Sequence, residues 1–455
     1  MDAEVEQVIA NKPKRVKKAT SAKSATTVAK LAKAAKPAKP VSPAKLPLPA
    51  FPALADISTY LHTCQRCPLH KEATQVVPGL AGSNMGVAPI KLMLVGLAPG
   101  EQEDRGGQPF VGPAGHTLNR LLSKAGLSRE DAWITNINKH RPMKIICRKC
   151  KLNKEKLEKY TGECVHVWKV DNRDTRETEQ RACLPFLQAE IQLLQPQVII
   201  PLGNIAVGAL EQRWTLSVAH GVGLHRGNSV MVPMYHPAAG LHNPAMRPVL
   251  IEDFNRLQWA INHPATAPDT SSYVLVDTPA KLQQAVAACT NKQVVAVDLE
   301  TEGLQPHDGS IVGVSLAAEH GKSFFIPTII GWFTPQEVVE ALRSLLADSH
   351  IVKVFANAKF DLQFLWSAGL SRYTEMAIDD TMVMAHLLHK EHLGLKELAL
   401  RELNVEMVGW EQLTGSRSMT QTMHDDPTAT MQYAGADTDM TLRLHSRFIA
   451  EMAEG

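Results

Sequence analysis

The sequence predicts an α/β protein with two domains, preceded by a basic N-terminal tail. Apolar, β-branched runs alternate with helix-like stretches in two separate segments of about 200 residues each, enough for two cores. Between them lies HPATAPDTSS, residues 263–272, whose Pro, Ala and Ser content is typical of a linker. We therefore expect one domain over residues 51–262 and a second over residues 273–455.

The first fifty residues contain ten Lys and one Arg against three acidic residues, with almost no large apolar side chains. Such a segment buries too little apolar surface to offset the entropy of ordering, so we expect a disordered tail. Within it, KPKRVKK (Lys12–Lys18) fits either a nuclear import signal or a solvated tail that binds nucleic acid weakly. No apolar run approaches about 18 residues and no secretory signal is present, so we expect an intracellular, cytoplasmic protein without a membrane span.

The first segment reads as alternating strands and helices. Strands are predicted at Lys91–Val95, Trp133–Asn136, Gln197–Leu202 and Met231–Pro237, and a helix at His116–Gly126. After the first strand comes a glycine-rich turn, GLAPGEQEDRGGQPFVG, which lacks the Gly-Lys-Ser of a phosphate loop and carries three carboxylates. This composition favours a flat, uncharged ligand that forms hydrogen bonds.

A nucleobase extruded from DNA is such a ligand, because it is recognised by stacking and by polar groups along its edge. Glycines allow close approach of the backbone, and Phe110 offers a stacking face. The amide of Asn136 donates and accepts on one edge, which distinguishes uracil from cytosine. His236 would contact O2 of the base and stabilise negative charge there as the glycosidic bond breaks.

These residues resemble the family 4 uracil-DNA glycosylases, in which a GEAPG-type turn is followed by an acid, PFVG, an ITN strand and a late HP loop. GLAPG, PFVG, ITN and HPAA occur in that order between Cys64 and Arg256. The resemblance implies a three-layer α/β/α domain with a parallel sheet that hydrolyses the N-glycosidic bond of uracil in DNA. It implies catalytic roles for Glu103 and His236, and a base-binding set consisting of Gly96, Ala98, Pro99, Gly100, Phe110 and Asn136.

One position departs from that pattern, because the family often has an acid where this chain has Leu97. Two hypotheses follow. Either the domain excises uracil, or it is a catalytically silent uracil-binding module that delivers DNA to the second domain or to a separate polymerase.

The same resemblance implies a [4Fe–4S] cluster held by four cysteines. Cys64 and Cys67 match the early pair of that family, and Cys183 matches the last ligand. His140 stands where the family has its third cysteine. Either His140 completes a Cys3His set, as histidine does in some clusters, or Cys147 supplies the missing ligand.

Residues 141–183 form an apparent insert. Its ligand candidates have the C-x2-C-x13-C-x-H spacing of a Cys3His zinc site and are Cys147, Cys150, Cys164 and His166. The alternative is a set of reduced, uncoordinated thiols, and a cluster that used Cys147 would deprive the zinc site of a ligand. Residues 139–159 contain nine basic and two acidic residues, which favours contact with phosphates.

The second segment places acids where a metal centre needs them. VVAVDLE and IVGVSLAA read as a hairpin, and Asp298 and Glu300 fall on one face of its first strand. Asp361 follows in NAKFD, and Tyr433 and Asp437, four apart in YAGAD, share one face of a helix. Close carboxylates repel unless a cation neutralises them. The pattern predicts a two-metal centre that hydrolyses phosphodiesters with Mg²⁺ or Mn²⁺.

DLE, NAKFD and YAGADTDMTLRLH resemble the three motifs of the DEDDy 3′–5′ exonucleases, and the last resembles the proofreading domain of DNA polymerase I. The resemblance implies a ribonuclease H-like domain with a mixed sheet. It implies that Tyr433 orients the attacking water and that four acids bind the metals, namely Asp298, Glu300, Asp361 and Asp437.

Both halves together resemble the front part of certain bacteriophage family A DNA polymerases. No polymerase palm is expected in the remaining length. We therefore expect uracil-containing DNA with a single-stranded or frayed 3′ end as the substrate, and a separate polymerase subunit as a partner.

Overall fold

The structure is a computed structural model that describes residues 49–147, 149, 168–307, 309–329, 331–370 and 376–454. The described residues from Pro49 onward form one compact unit with two six-stranded sheets and a separate two-stranded hairpin. The predicted tail, up to residue 48, lies outside the described residues, as do three of the zinc candidates, Cys150, Cys164 and His166. No helix in the described part of the chain is long and apolar enough to cross a membrane.

The first half alternates strands and helices around the first sheet. Its strands are β1 Leu80–Ala81, β2 Leu92–Gly96, β3 Ala132–Asn136, β4 Met143–Cys147, β5 Trp168–Asn172, β6 Val198–Pro201, β7 Leu224–Arg226 and β8 Ser229–Met231. Its described helices are α1 Leu54–His62, α2 Leu69–Glu72, α3 Glu101–Gly106, α4 Pro113–Lys124, α5 Glu177–Leu194, α6 Asn204–Leu210, α7 Leu216–Ala219, α8 Ala239–His242 and α9 Met246–Asn262. Strands β4 and β5 form the separate hairpin.

The strand order of the first sheet is β1-β3-β2-β6-β8-β7. Strands β3, β2, β6 and β8 run parallel, and β1 and β7 pair antiparallel at the edges. Along β2, Leu92 and Leu94 pack in a cluster with α4 and α9, whereas Met93 and Val95 pack in the cluster that includes α5. Alternate side chains of a strand point to opposite faces, so helices cover both faces and give three layers. The predicted α/β class with a parallel sheet is confirmed.

One predicted strand is wrong in extent. Strand β8 ends at Met231, although the N–H groups of Val232 and Met234 still donate to the carbonyl oxygens of Ile199 and Pro201, and Met234 forms an isolated bridge with Leu202. Its neighbour β6 gives way to helix α6 at Asn204, so the residues after Met234 have no strand to pair with and the predicted strand Met231–Pro237 stops early. The chain leaves the sheet at this point and continues into the loop that carries His236.

The second half surrounds the second sheet. Its strands are β9 Tyr273–Leu275, β10 Val294–Glu302, β11 Ser310–Glu319, β12 Lys322–Pro327, β13 Val352–Phe355 and β14 Ala377–Asp380. Its described helices are α10 Pro279–Thr290, α11 Pro335–Ala347, α12 Ala358–Ser367, α13 Thr381–Leu387, α14 Leu395–Leu403, α15 Trp410–Thr414, α16 Met419–Asp425 and α17 Pro427–Glu454.

The strand order of the second sheet is β14-β13-β10-β11-β12-β9. Strands β10, β11 and β12 are antiparallel neighbours, whereas β9, β13 and β14 join in parallel. The predicted hairpin and mixed sheet are therefore confirmed. Along β10, Val295, Val297 and Leu299 pack with helices on one face, while Ala296 packs against Leu442 of α17 on the other. By alternation, Asp298 and Glu300 face the α17 side.

Helix α14 contacts both halves. Leu400 is buried in the apolar cluster that contains Met93 and Val95 of the first half. Arg401 donates from Nη1 to the carbonyl oxygen of His220 over 2.6 Å. Just after the helix, Val405 forms a parallel bridge with Thr266 of the predicted linker. That segment is thus attached to the second half before β9 begins.

Candidate active sites

A cavity of about 560 Å³ opens where β2 and β3 end and the glycine-rich turn begins. Five of the residues predicted to bind the base or act on it line this cavity along with Glu103, namely Ala98, Gly100, Phe110, Asn136 and His236. Pro99 is buried and is not among the lining residues. Gly96 lies one step deeper, behind Asn136 and Phe110.

Two glycines make this cavity possible. A Cβ on Gly96 would lie 2.3 Å from Oδ1 of Asn136 and 2.6 Å from Cζ of Phe110, far inside van der Waals contact. A Cβ on Gly115 would lie 1.9 Å from the carbonyl oxygen of Phe110. A side chain at Gly96 would displace the ring or the amide, and one at Gly115 would displace the backbone of Phe110. The glycines therefore bring the aromatic ring and the amide to the end of the sheet.

Phe110 adopts φ 55°, a left-handed conformation that is rare for an aromatic residue. Arg129 holds this backbone in place, because its guanidinium donates to the carbonyl oxygens of Phe110 (3.1 Å) and Pro109 (3.3 Å). The ring of Phe110 lies 5.7 Å from the ring of His236, tilted by 30°. The two rings thus form neighbouring walls of the cavity.

Glu103 braces the turn as well as lining the cavity. One carboxylate oxygen accepts from the N–H of Gly100 (3.1 Å) and the other from the N–H of Gly112 (2.8 Å), which precedes α4. Each oxygen keeps a further lone pair. The carboxylate therefore joins the glycine turn to the PFVG segment and remains available to a polar ligand in the cavity.

Asn136 and His236 supply the polar groups of the cavity. The Asn136 amide makes no hydrogen bond to any described protein atom, although the residue is 3% exposed. Nδ1 of His236 accepts from the N–H of Ala238 over 3.2 Å, so the proton of the neutral ring lies on Nε2, which becomes a donor. Burial lowers the pKa of His236 to about 4, against the opposing effect of the Glu103 carboxylate. The ring is neutral at physiological pH.

Residues that the sequence did not single out also line the cavity, among them Asn172, Arg105, Leu241 and His242. Asn172 ends β5, within the insert, and its Oδ1 accepts from Arg141 over 2.7 Å. Leu241 is 45% exposed at the rim, where an apolar side chain can enter a base stack. Leu97 is not among the lining residues; its side chain packs against the core cluster that contains Leu187.

The cysteines predicted to hold the cluster converge at the start of the first half. The thiols of Cys67 and Cys183 share a hydrogen bond, which lowers the pKa of Cys67 to about 7 and raises that of Cys183. Burial raises the pKa of Cys64. Burial also lowers the pKa of His140, and the nearby ring of His70 lowers it further. None of the described cysteines forms a disulfide.

His70 is a neighbour of this group that the sequence did not indicate. Its Nδ1 lies 2.6 Å from the carbonyl oxygen of Cys67, which can only accept, so Nδ1 carries the proton and Nε2 keeps its lone pair. Cys147 ends β4, is buried, and accepts from the N–H of Lys149 over 3.4 Å. Within the described chain, no three of these ligand atoms lie within 4.8 Å of one another.

The acids of the second half form the tightest ligand group. Asp298, Glu300 and Asp437 each offer an oxygen within 4.8 Å of the other two. Asp361, from α12, lies beside this group rather than in it, and its Oδ1 accepts from the N–H of Leu299 over 3.2 Å. The structure thus brings the four predicted acids to one side of β10, three of them within the reach of a single ion.

These carboxyls are short of positive charge. Oε1 of Glu300 is buried and has no hydrogen-bond partner among the described residues, which is costly for an anionic oxygen. Burial raises the pKa of Asp298, Glu300 and Asp437, and repulsion from Asp437 adds to the shift of Asp298 and of Glu300. An orphaned oxygen in an all-oxygen group fits a hard divalent cation.

Tyr433 stands beside this group as predicted, one helical turn before Asp437 on α17. A lysine that the sequence did not indicate joins them. Nζ of Lys396 lies 2.7 Å from the Tyr433 hydroxyl and 3.1 Å from Oδ2 of Asp437. A second cavity, of about 410 Å³, opens beside Tyr433 and Asp437, and its lining includes Pro268 of the predicted linker.

Comparison with known proteins agrees with the first of these sites. Residues 84–258 match the family described as the uracil DNA glycosylase superfamily. The type-4 uracil-DNA glycosylase of Saccharolobus solfataricus is 35% identical over 217 residues, which are 45% of this chain and 85% of that protein. The type-4 enzyme of Thermotoga maritima is 31% identical over 209 residues, or 44% of this chain and 90% of that protein. The chain belongs to the type-4 uracil-DNA glycosylase family.

This type-4 family member carries a second domain. Residues 273–453 match the family described as 3′-5′ exonuclease of the DNA polymerase A type. The DNA polymerase I of Treponema pallidum is 27% identical over 212 residues, which are 37% of this chain and 21% of that polymerase. The chain thus spans about a fifth of that relative's length. Both family resemblances drawn from the motifs are confirmed.

In this type-4 family member, the pKa of His236 should lie far below that of an ordinary histidine. Nuclear magnetic resonance of the ring protons should give a midpoint near pH 4, because burial disfavours the imidazolium. The His236 signal is assigned by its absence in His236→Gln. Since the folded pKa lies below the unfolded value of about 6.5, the fold loses stability as pH falls from about 6.5 towards 4. A midpoint near 6.5 would contradict a buried, neutral ring.

Binding of Mn²⁺ at the acid group should release protons. The raised pKa values mean that some of these carboxyls carry a proton when no cation is bound. They must lose that proton to bind a cation. Apparent Mn²⁺ affinity should therefore fall as pH falls through these raised values. Calorimetry in two buffers of different ionisation enthalpy counts the protons, and Glu319→Gln, an exposed acid on β11, is the control. Binding without proton release near neutral pH would contradict the raised values.

Proposed function

We propose that the chain excises uracil from DNA with its first half and degrades DNA from the 3′ end with its second half. The observation that carries the first activity is the cavity whose walls are the Phe110 and His236 rings, with an Asn136 amide that has no protein partner among the described residues. The observation that carries the second is the group of Asp298, Glu300 and Asp437, with an orphaned Glu300 oxygen.

In the first half, the residues act on an extruded base. Phe110 stacks on its face, and the Asn136 amide donates to O4 of uracil and accepts from its N3–H. The Nε2–H of neutral His236 donates to O2, where negative charge develops as the bond to the sugar breaks. Glu103 keeps the glycine turn in place and orients the water that replaces the base.

A silent binding module is the alternative that Leu97 suggested. The Leu97 side chain packs into the core cluster and is not a wall of the cavity, so this departure from the family pattern leaves the groups at the base untouched. We therefore favour excision over silent binding.

We further propose a [4Fe–4S] cluster on Cys64, Cys67, Cys183 and His140. The donor set is chemically suitable, because Cys67 shares a hydrogen bond with Cys183 and lies near Cys64. The buried His140 imidazole lies near His70, which bonds to the carbonyl oxygen of Cys67. In such a cluster each of these ligands would bind a different iron. A zinc site in the insert remains a separate proposal.

Iron analysis tests this ligand set. Protein purified without oxygen should contain about four irons per chain. In protein labelled with ¹⁵N-histidine, the reduced cluster should show a nitrogen hyperfine coupling that disappears in His140→Cys while the iron is retained. The matched control is His62→Gln, an exposed histidine on α1. A coupling that survives His140→Cys and disappears in His70→Gln would assign the ligand to His70 instead.

In the second half, we assign metal binding to the acids and orientation of the attacking water to the tyrosine. Two Mg²⁺ or Mn²⁺ ions would be held by Asp298, Glu300, Asp361 and Asp437, and when bound they supply activation of water and charge stabilisation at the scissile phosphate. Glu300 lies on strand β10 and Asp437 on helix α17, so a metal ion bound by both would link the strand to the helix. Tyr433 orients the attacking water with its hydroxyl. A single-stranded or frayed 3′ end is the substrate we propose.

Three further proposals rest on the resemblance to phage polymerases. They are an origin in a bacteriophage, an action in the cytoplasm of the host cell, and an association with a separate DNA polymerase subunit. Immobilised protein and a family A polymerase that lacks its own exonuclease motifs provide a direct binding test of the last.

One substrate separates the two activities. A 5′-labelled strand with a single internal uracil should give one alkali-labile product in chelator, and a ladder of shortened strands when Mg²⁺ is added. His236→Ala should lower uracil release about 10²- to 10³-fold and leave the ladder, because it removes one donor to the developing charge. Asp298→Ala should abolish the ladder and leave uracil release. Each variant is the control for the other, and loss of both activities in either variant would contradict two independent sites.

A further inference from the structure

Lys396 contacts Tyr433 and Asp437 in the exonuclease site but belongs to none of the three motifs. It lies at the start of α14, 37 positions before Tyr433 in the chain, with its side chain 25% exposed. Its ammonium sits over the Tyr433 ring, 4.2 Å from the ring centre, and 2.7 Å from the hydroxyl oxygen. It also pairs with both oxygens of Asp437, at 3.1 and 3.3 Å.

These contacts fix the direction of the Tyr433 hydroxyl. An ammonium has only donors, so the phenol oxygen must accept from Lys396. The phenol hydrogen is then turned away from Lys396, and it has no acceptor among the described protein atoms. The phenol oxygen is fixed by Lys396, and its hydrogen is free to be donated to a water or to a substrate oxygen.

The lysine is held from its other side by the first half of the chain. Leu400, one turn after Lys396, is 1% exposed within the apolar cluster of the first half. Arg401 donates to the carbonyl oxygen of His220, and Asn404 donates to the carbonyl oxygen of His263 over 3.0 Å. The helix that carries the ammonium therefore has its own anchors, independent of Tyr433 and Asp437.

We propose that Lys396 is a positioning residue of the exonuclease site, which acts through Tyr433 by fixing the hydroxyl that orients the attacking water. This inference rests on the proposed exonuclease function. Its rival is that Lys396 only neutralises Asp437, and the two differ in whether the effect of losing Lys396 depends on the Tyr433 hydroxyl.

A double-mutant cycle tests the proposal in the full chain. Lys396→Gln should lower kcat for 3′ degradation about 10- to 100-fold, because the attacking water is less well oriented. KM should stay within about twofold of wild type, because DNA binding is retained. Tyr433→Phe should lower kcat by a similar or larger factor. In the double variant the loss should equal that of Tyr433→Phe alone within about twofold, because the lysine then has no hydroxyl to orient.

Controls separate this test from a folding defect and from failure of the exonuclease proposal itself. Lys322→Gln, an exposed lysine of β12, should leave kcat unchanged. Mn²⁺ binding by Lys396→Gln should be no weaker than in wild type, and Lys396→Met repeats the cycle if Lys396→Gln unfolds. Additive losses, or lost Mn²⁺ binding, overturn the positioning role while the exonuclease stands. A wild type that binds Mn²⁺ yet leaves 3′ ends intact overturns the exonuclease proposal and this inference with it.

Discussion

The site of the second half depends on one constraint, the burial of several carboxyls close to one another. Oxygens of Asp298, Glu300 and Asp437 within 4.8 Å cannot all stay ionised in a buried site unless positive charge lies close by. The raised pKa values and the Glu300 oxygen without a described partner both reflect a shortage of positive charge at this site. Lys396 supplies one positive charge, which pairs with Asp437 and only partly opposes the raised pKa values of Asp298 and Glu300. The deficit that remains is what a divalent cation would remove, so the fold at β10 and α17 is arranged to be completed by one.

The site in the first half differs, because the groups that would face a base, the Phe110 ring, the Asn136 amide and the His236 ring, are uncharged, while the charge of Glu103 is held by two backbone N–H groups. Because Gly96 and Gly115 have no side chains, the Phe110 ring and the Asn136 amide can reach the end of the sheet. Burial keeps His236 neutral and therefore a donor that carries no charge. Such a cavity suits a neutral base, whereas the acid group suits a cation and a phosphate. The two chemistries are thus separated by electrostatics as well as by position in the chain.

The sequence predicted what depends on local periodicity. Alternation along β10 put Asp298 and Glu300 on one face, helical spacing put Tyr433 and Asp437 on another, and the α/β pattern gave the parallel and mixed sheets. Residues that reach a site from a distant element were missed, because spacing carries no information about long-range packing. Lys396 arrives from a separate helix and Asn172 from within the insert. The predicted strand Met231–Pro237 proved too long for the same reason, because its neighbour β6 gives way to a helix at Asn204.

Helix α14 shows why the two halves are more than tethered neighbours. Fewer than two turns separate Lys396, which contacts the tyrosine and acid of one site, from Arg401, which binds the backbone of the other half. Leu400, between them, is part of the apolar core of the first half, so its burial stabilises the helix only while that half is in place. Leu398 and Ala399 pack instead against α17 of the second half. The helix that carries Lys396 is therefore buried from both halves, so the position of the lysine beside Tyr433 depends on packing from each of them.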